Sequence, residues 1–172
     1  MQLSGTRTIA APRDVVWAAL NDADVLKACI PGCTELSKTS DTSFEATVKQ
    51  KVGPVSATFK GAVELSDINA PVSYRIAGEG KGGAAGFAKG GANVSLAEAE
   101  GGGTELTYEV DAKVGGKIAQ LGARLIDGFA KKMADQFFTT FQKVVEGEPD
   151  EEAPAEDAPA AEKKSWLKRL TS

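Results

Sequence analysis

The chain has no histidine at all, and only two of its 172 residues are cysteine. Without an imidazole there can be no Ser-His-Asp triad, no Cys-His dyad and none of the commonest metal ligand. Cys29 and Cys33 flank a Pro-Gly turn, a spacing that matches neither the Cys-x-x-Cys redox motif nor a four-ligand zinc site. Two cysteines do not make a disulfide scaffold either. They read as small apolar residues shaping the turn, with a redox role as the lesser alternative. No run of about 18 apolar residues exists, so no helix is expected to cross a bilayer. The N-terminus shows no charged leader followed by an apolar stretch, which points to a cytoplasmic protein. Aromatic residues are sparse, with seven Phe, two Tyr and two Trp against 42% apolar residues and 19 glycines. Small side chains must therefore fill much of the interior or leave part of it empty.

The excess of positive charge that nucleic-acid binding requires is missing too. Residues 1–147 hold 17 acids and 16 bases, and no basic stripe of the kind that tracks a phosphate backbone stands out. The remaining seven acids and four bases lie in the last 25 residues. The length supports one ordinary domain and an appendage.

What is present begins with a long amphipathic stretch. Ile118, Leu121, Leu125, Phe129, Met133, Phe137, Phe141 and Val144 recur at three and four residues, which predicts a single helix over 117–146 with one apolar stripe. Ahead of it, 2–10 alternates as a short strand, Pro12 and Asp14 suit the start of a short helix, and Asn21 or Asp22 can cap a second at 23–29. From residue 34 to 114 the period changes to two. Phe44, Ala46, Val48, Gln50 and Val52 share one face, followed by Val55, Ala57, Phe59, Gly61, Val63 and Leu65, then Val72, Tyr74, Ile76 and Gly78. Glycine-rich residues 78–91 are expected to separate this strand from Ala92, Val94 and Leu96, and Leu106, Tyr108, Val110, Ala112 and Val114 form the last. Short turns make consecutive strands antiparallel.

A strand, two short helices, a meander and a long helix give an α+β protein. A curved antiparallel sheet of about seven strands with the helix laid over an apolar cavity satisfies all the apolar faces. This arrangement resembles the helix-grip fold of START-like and Bet v 1-like proteins. The small inward residues Ala46, Ala57, Gly61, Gly78 and Ala112 favour space over packing. Gly122 and Gly128 fall within the expected helix, where close approach of a strand or ligand and tight packing are both open as reasons.

The Cys29-Ile-Pro-Gly-Cys33 turn, Gly53-Pro54, Gly86-Phe-Ala-Lys-Gly90, and 114–126 followed by Phe137-Phe138 together resemble the carbon monoxide dehydrogenase G-subunit family over residues 1–146. The resemblance implies a membrane-associated accessory protein of molybdenum-containing hydroxylases such as carbon monoxide dehydrogenase. It further implies a bound quinone, menaquinone or ubiquinone, in the cavity and a part in electron delivery to the respiratory chain, with no covalent cofactor. From strand phase and helix stripe, Phe59, Tyr74, Phe87, Tyr108, Leu121, Leu125 and Phe129 are the expected wall of that site. Gln50, Tyr74 and Tyr108 are its inward polar candidates. The strand phases send most carboxylates outward and leave no inward Asp/Glu pair, so binding is expected rather than catalysis. A docking factor without a ligand and a cyclase-like enzyme are the alternatives.

The last residues read as two segments. Residues 147–162 carry three prolines and seven acids with no base, the composition of an extended, disordered linker. At 163–172 the sign flips. Lys163, Lys164, Lys168 and Arg169 surround Trp166, Leu167 and Leu170, an arrangement suited to a short interfacial helix on an anionic membrane. The expected location is cytoplasmic and peripheral, at the inner face of the cell membrane.

Overall fold

In a computed structural model, which describes residues 1–147, every period-two stretch forms a strand. The elements run β1 (Gln2–Ile9), α1 (Arg13–Leu20), α2 (Ala23–Cys29), β2 (Cys33–Ser40), β3 (Ser43–Val52), β4 (Val55–Asn69), β5 (Ser73–Lys81), β6 (Phe87–Glu98), β7 (Thr104–Gly115) and α3 (Ala123–Glu146). The seven strands form one antiparallel sheet in the order β1-β7-β6-β5-β4-β3-β2. Each strand after β1 lies beside its sequence neighbour, and β1 adds to β7 at the far edge. The linker expected at 147–162, apart from Gly147, and the basic segment expected at 163–172 lie outside the described residues.

Local chemistry explains the helical corner. Pro12 stands immediately before α1 with Asp14 in the first turn. Asp22, rather than Asn21, caps α2 by accepting from the backbone N–H groups of Asp24 at 2.9 Å and Val25 at 3.3 Å. The Pro31-Gly32 turn then docks on β3. Gly32 has φ +78° and lies so close to the Lys49 carbonyl that a Cβ there would collide with it. Gln50 Nε2 donates to the Pro31 carbonyl at 2.5 Å, so this inward polar side chain holds the turn in place.

Two expectations change in the structure. The long helix starts at Ala123 rather than at 117. Residues Lys117–Leu121 form a separate 3-10 turn, and Gly122, at φ +96°, breaks the chain between them. Ile118 of the 3-10 turn is buried, whereas Leu125, in the first turn of α3, is 41% exposed, so the apolar stripe does not run on as one face through the break. Gly128 within α3 has no atom within 4 Å of a would-be Cβ, so neither close approach of a strand nor tight packing accounts for it. The second change concerns the glycine-rich stretch, most of which is strand. β5 continues to Lys81, β6 starts at Phe87, and Gly78 pairs with Gly90 across the ladder. Glycine weakens a strand intrinsically, and here the pairing of both neighbours holds it extended.

The core lies at one end of the grip. Ile9, Val16, Leu106 and Phe141 are fully buried there, with Leu65, Leu96 and Val145 beside them. Thr104 is also buried at this end, its Oγ1 donating to the Ala11 carbonyl at 2.7 Å. α3 reaches this core only with its second half, through Phe138, Phe141 and Val145. Its first half buries no residue, so sheet and helix diverge toward Gly122.

Candidate apolar cavity

Strand register shows how the space between sheet and helix arises. One row across the inner face reads Ala46, Gly61, Gly80, Ala88, and the next reads Val63, Gly78, Gly90, Ala112. A floor with so few side-chain atoms cannot meet a helix held off by the aromatic rings farther along. Those rings are Tyr108 and Phe138, stacked at 5.0 Å between centroids, with Phe137 edge-on to Phe138 at the same separation. Trp17 of α1 meets Tyr74 edge-on at 5.2 Å. These pairs prop α1 and α3 above the sheet.

The result is a cavity of about 550 Å³, within the usual range for small-molecule sites. Its floor is the glycine and alanine rows, its walls are Phe44, Val48 and Leu65 of the sheet, and its roof comes from Leu20, Leu26 and Ile30 below α1 and α2 and from Ala134, Phe137 and Phe138 of α3. Glu79 and Lys89 are the charged residues of the lining, and both belong to the outward phase of their strands. No group of three or more His, Cys, Asp or Glu able to hold a metal occurs among the described residues.

The residues expected at the wall divide into two sets. Phe59, Tyr74 and Tyr108 line the cavity. Phe59 closes it toward β5, with its ring against Gly82. Phe87, Leu121, Leu125 and Phe129 lie outside the lining. Phe87 opens β6 in the outward phase, with its ring over Gly115, and is 43% exposed. The divergence of α3 carries Leu125 and Phe129 away from the floor. Leu125, 41% exposed, instead touches the β3–β4 turn at Gly53. The helical contribution therefore falls two turns later than the stripe alone suggests, at Ala134, Phe137 and Phe138. Leu20 of α1, Leu26 of α2 and Ile30 just after it line the roof, and nothing in their sequence spacing aims them at the cavity.

Polar groups are few. Among the described residues neither the Tyr74 nor the Tyr108 hydroxyl has a hydrogen-bond partner. Burial raises the Tyr74 phenol well above its ordinary range, so it stays a neutral donor. Arg7, on the inward phase of β1, is tied off by Asp135 of α3 at 2.5 Å and lies over the Phe138 ring. Burial pushes the Cys29 thiol up to about 12. Burial also raises Cys33, against smaller opposing effects of its bond to the Glu35 carbonyl and of Lys27. Neither thiol is poised as a nucleophile, and both cysteines are free.

Comparison with known proteins supports the same architecture. A conserved protein from Geobacillus kaustophilus superposes with a TM-score of 0.79 and 30% identity over 84% of this chain and 95% of its own. A START superfamily protein from Mycobacterium smegmatis gives 0.63 at 14% identity over 84% and 97%. The ZhuI aromatase/cyclase from Streptomyces sp. R1128 gives 0.61 at 15% over 85% and 93%. At such identities the last two show the fold alone, the helix-grip of START-like proteins. No curated protein sequence matches the chain. The family model of the carbon monoxide dehydrogenase G-subunit (CoxG) matches residues 5–146, and the chain belongs to that family.

Proposed function

We propose that the chain is a carrier of an apolar membrane quinone, menaquinone or ubiquinone, serving a molybdenum-containing hydroxylase of the carbon monoxide dehydrogenase type. The observation that carries this reading is the floor of paired glycines and alanines beneath a roof of aromatic rings. Such a floor is a poor way to build a core and a direct way to keep one open, since an apolar void forgoes the contacts that packing would give. The lining is almost wholly apolar, while the Tyr74 and Tyr108 rings stand in it with hydroxyls that have no partner among the described residues. That combination suits a ring with carbonyl oxygens on an apolar body, to which an unpaired hydroxyl can donate.

The chain's own residues bind, orient and exclude water. Tyr74 and Tyr108 supply donors at the filled end of the cavity, and Phe137 and Phe138 supply faces for stacking. The quinone, when bound, supplies the two-electron chemistry, and the dehydrogenase supplies the electrons. The absence of a carboxylate pair on the inner phase favours binding over cyclase-like catalysis. The family's name points to carbon monoxide dehydrogenase as the partner. The basic segment with Trp166, Leu167 and Leu170 holds the carrier at the inner face of the cell membrane, reversibly because it is short.

The test is extraction of the full chain purified from its native membranes, followed by mass spectrometry of the lipid fraction. An isoprenoid quinone bound near one per chain is the expected result. Recovery of none, with none taken up by the delipidated protein, contradicts the carrier and leaves the ligand-free docking factor.

A further inference from the structure

The inner face of α3 changes character along its length. Seven residues make nearly two full turns, so residues seven apart share a face of the helix. Val145 and Phe138 are buried, yet Lys131, the next member of their row, is exposed. Phe141 is fully buried and Ala134 lines the cavity, yet Asp127, the next member of that row, is exposed as well. Neither Asp127 nor Lys131 is in an ion pair among the described residues. Lowering this half of the helix onto the apolar floor would strip both charges of water with nothing to replace it. Gly128, beside Asp127, adds no side chain to the flank, and the space around it is open.

Packing closes the other approaches to the cavity. Toward Gly122, Ile118 and Ala85 are buried, Gly86 lies against Gly115 and Gly116, and Leu125 touches the turn at Gly53. On one side, α2 packs against both β2 and α3. On the other, α3 is fastened to the free edge of β1. Glu146 accepts the Ala10 N–H at 2.9 Å, Gln142 donates to the Thr8 carbonyl at 3.0 Å, and Asp135 meets Arg7. That series stops at Asp135, because Gly128, seven residues earlier on the same flank, offers β1 no side chain. Beyond the Tyr108–Phe138 stack, β7 runs on through Val110 and Ala112, which line the cavity and are still half-exposed. Over the same distance α3 runs back through Ala134 to Lys131 and Asp127.

We infer that the cavity takes up its ligand through the slot beneath the first half of α3, framed by Asp127, Gly128 and Lys131 above and by Val110 and Ala112 of β7 below. Asp127 and Lys131 keep the slot from closing, since their charges must stay in water. The inference rests on the carrier reading only in that something apolar enters the cavity; it does not need that ligand to be a quinone. One acid and one base at the rim favour neither anions nor cations, which suits a neutral ligand. The Lys131 stem can lie along an apolar body in transit while its ammonium group remains hydrated. Gly128 thereby gains a reason that packing does not supply: a side chain there would narrow the slot on the side of β1.

The test compares Lys131→Cys with Lys132→Cys, neighbours in sequence that point about 100° apart around the helix. Each is made in the full chain with Cys33→Ser, leaving Cys29 buried and unreactive. Uptake of the neutral apolar fluorophore N-phenylnaphthylamine by delipidated protein is followed by stopped flow. It is measured before a bulky aromatic methanethiosulfonate is attached, with the adduct in place, and after dithiothreitol has removed it. An obstructed passage slows entry and exit alike, so the Lys131→Cys adduct is expected to slow both roughly tenfold or more with the equilibrium affinity unchanged. Dithiothreitol should restore both rates in the same protein, which separates obstruction from misfolding. The Lys132→Cys adduct should leave them as they were. An unchanged uptake rate in the Lys131→Cys adduct overturns the inference, as does equal slowing by the Lys132→Cys adduct. A loss of affinity at unchanged entry rate also overturns it, by placing residue 131 in the wall instead of the passage. So does the absence of saturable uptake by the unmodified protein. Because the probe is not a quinone, a failed quinone assignment leaves this result intact.

Discussion

Gly78 of β5 lies directly opposite Gly90 of β6 in the antiparallel ladder, so the middle of the sheet presents bare backbone to the helix. Flanked by Val63 and Ala112 in the same row, this pair separates the packed end of the grip from the open one. The candidate site follows from that row.

Filling the space should block the site without harming the fold. Ala112→Leu and Ala92→Leu project new methyl groups into the cavity from its floor. Each is expected to hold or raise stability, by up to about 1–2 kcal/mol, as cavity-filling changes do. Each should also weaken binding of a short-chain quinone by roughly tenfold or more. Urea melts and equilibrium titration check the two halves separately.

The tyrosine hydroxyls should matter for ligand and little for fold. Neither has a partner to lose, so Tyr74→Phe and Tyr108→Phe are expected to change stability by less than about 1 kcal/mol. Quinone affinity should fall about fivefold to tenfold for each hydroxyl that meets a carbonyl. A matched loss for a hydrocarbon lipid of the same length would assign the effect to packing instead.

Gly32 should tolerate no side chain. With φ +78° and the Lys49 carbonyl in the place of a Cβ, Gly32→Ala is expected to cost about 2–4 kcal/mol by combining backbone strain with a clash. Chemical denaturation measures it. The loss should be accompanied by increased thiol labelling of Cys29, the last residue of α2 just before this turn.

Alkaline pH should destabilise the protein through Cys29 and Tyr74. Burial raises both above their unfolded values, so the folded state keeps protons that the unfolded state releases. The stability they contribute is fully present below about pH 9 and is lost as pH rises toward 12 and beyond. Cys29→Ala should flatten the first part of that decline in a series of thermal melts, and Cys33→Ser should change it less.

Much of this fold is legible in the sequence, because a period of two is a local signal. Phe44 through Val52 and Leu106 through Val114 fall on the inner face that their alternation assigns. What alternation cannot report is where two long elements diverge. Leu121, Leu125 and Phe129 belong to the same stripe as Phe137, and only the propping of α3 by Tyr108 and Phe138 decides which of them reach the cavity. The break at Gly122 is similarly hidden, since the apolar residues keep their three- and four-residue spacing in the sequence on both sides of it. Glycine at 80, 90 and 91 reads locally as loop, and becomes strand only because neighbours on both sides complete the ladder. Phe87 shows the consequence of that misreading. Once β6 is known to begin there, its phase places the ring outside.

Trp17 offers the most direct test of the cavity as a quinone site, because its ring touches cavity-lining Tyr74 at 5.2 Å. With Trp166→Phe removing the other indole, titration of delipidated full chain with a short-chain quinone should quench Trp17 fluorescence saturably, at about one quinone per chain. Ala112→Leu should remove that saturable phase. Quenching that rises linearly without saturation, or that Ala112→Leu leaves untouched, would contradict a quinone held between the glycine floor and α3.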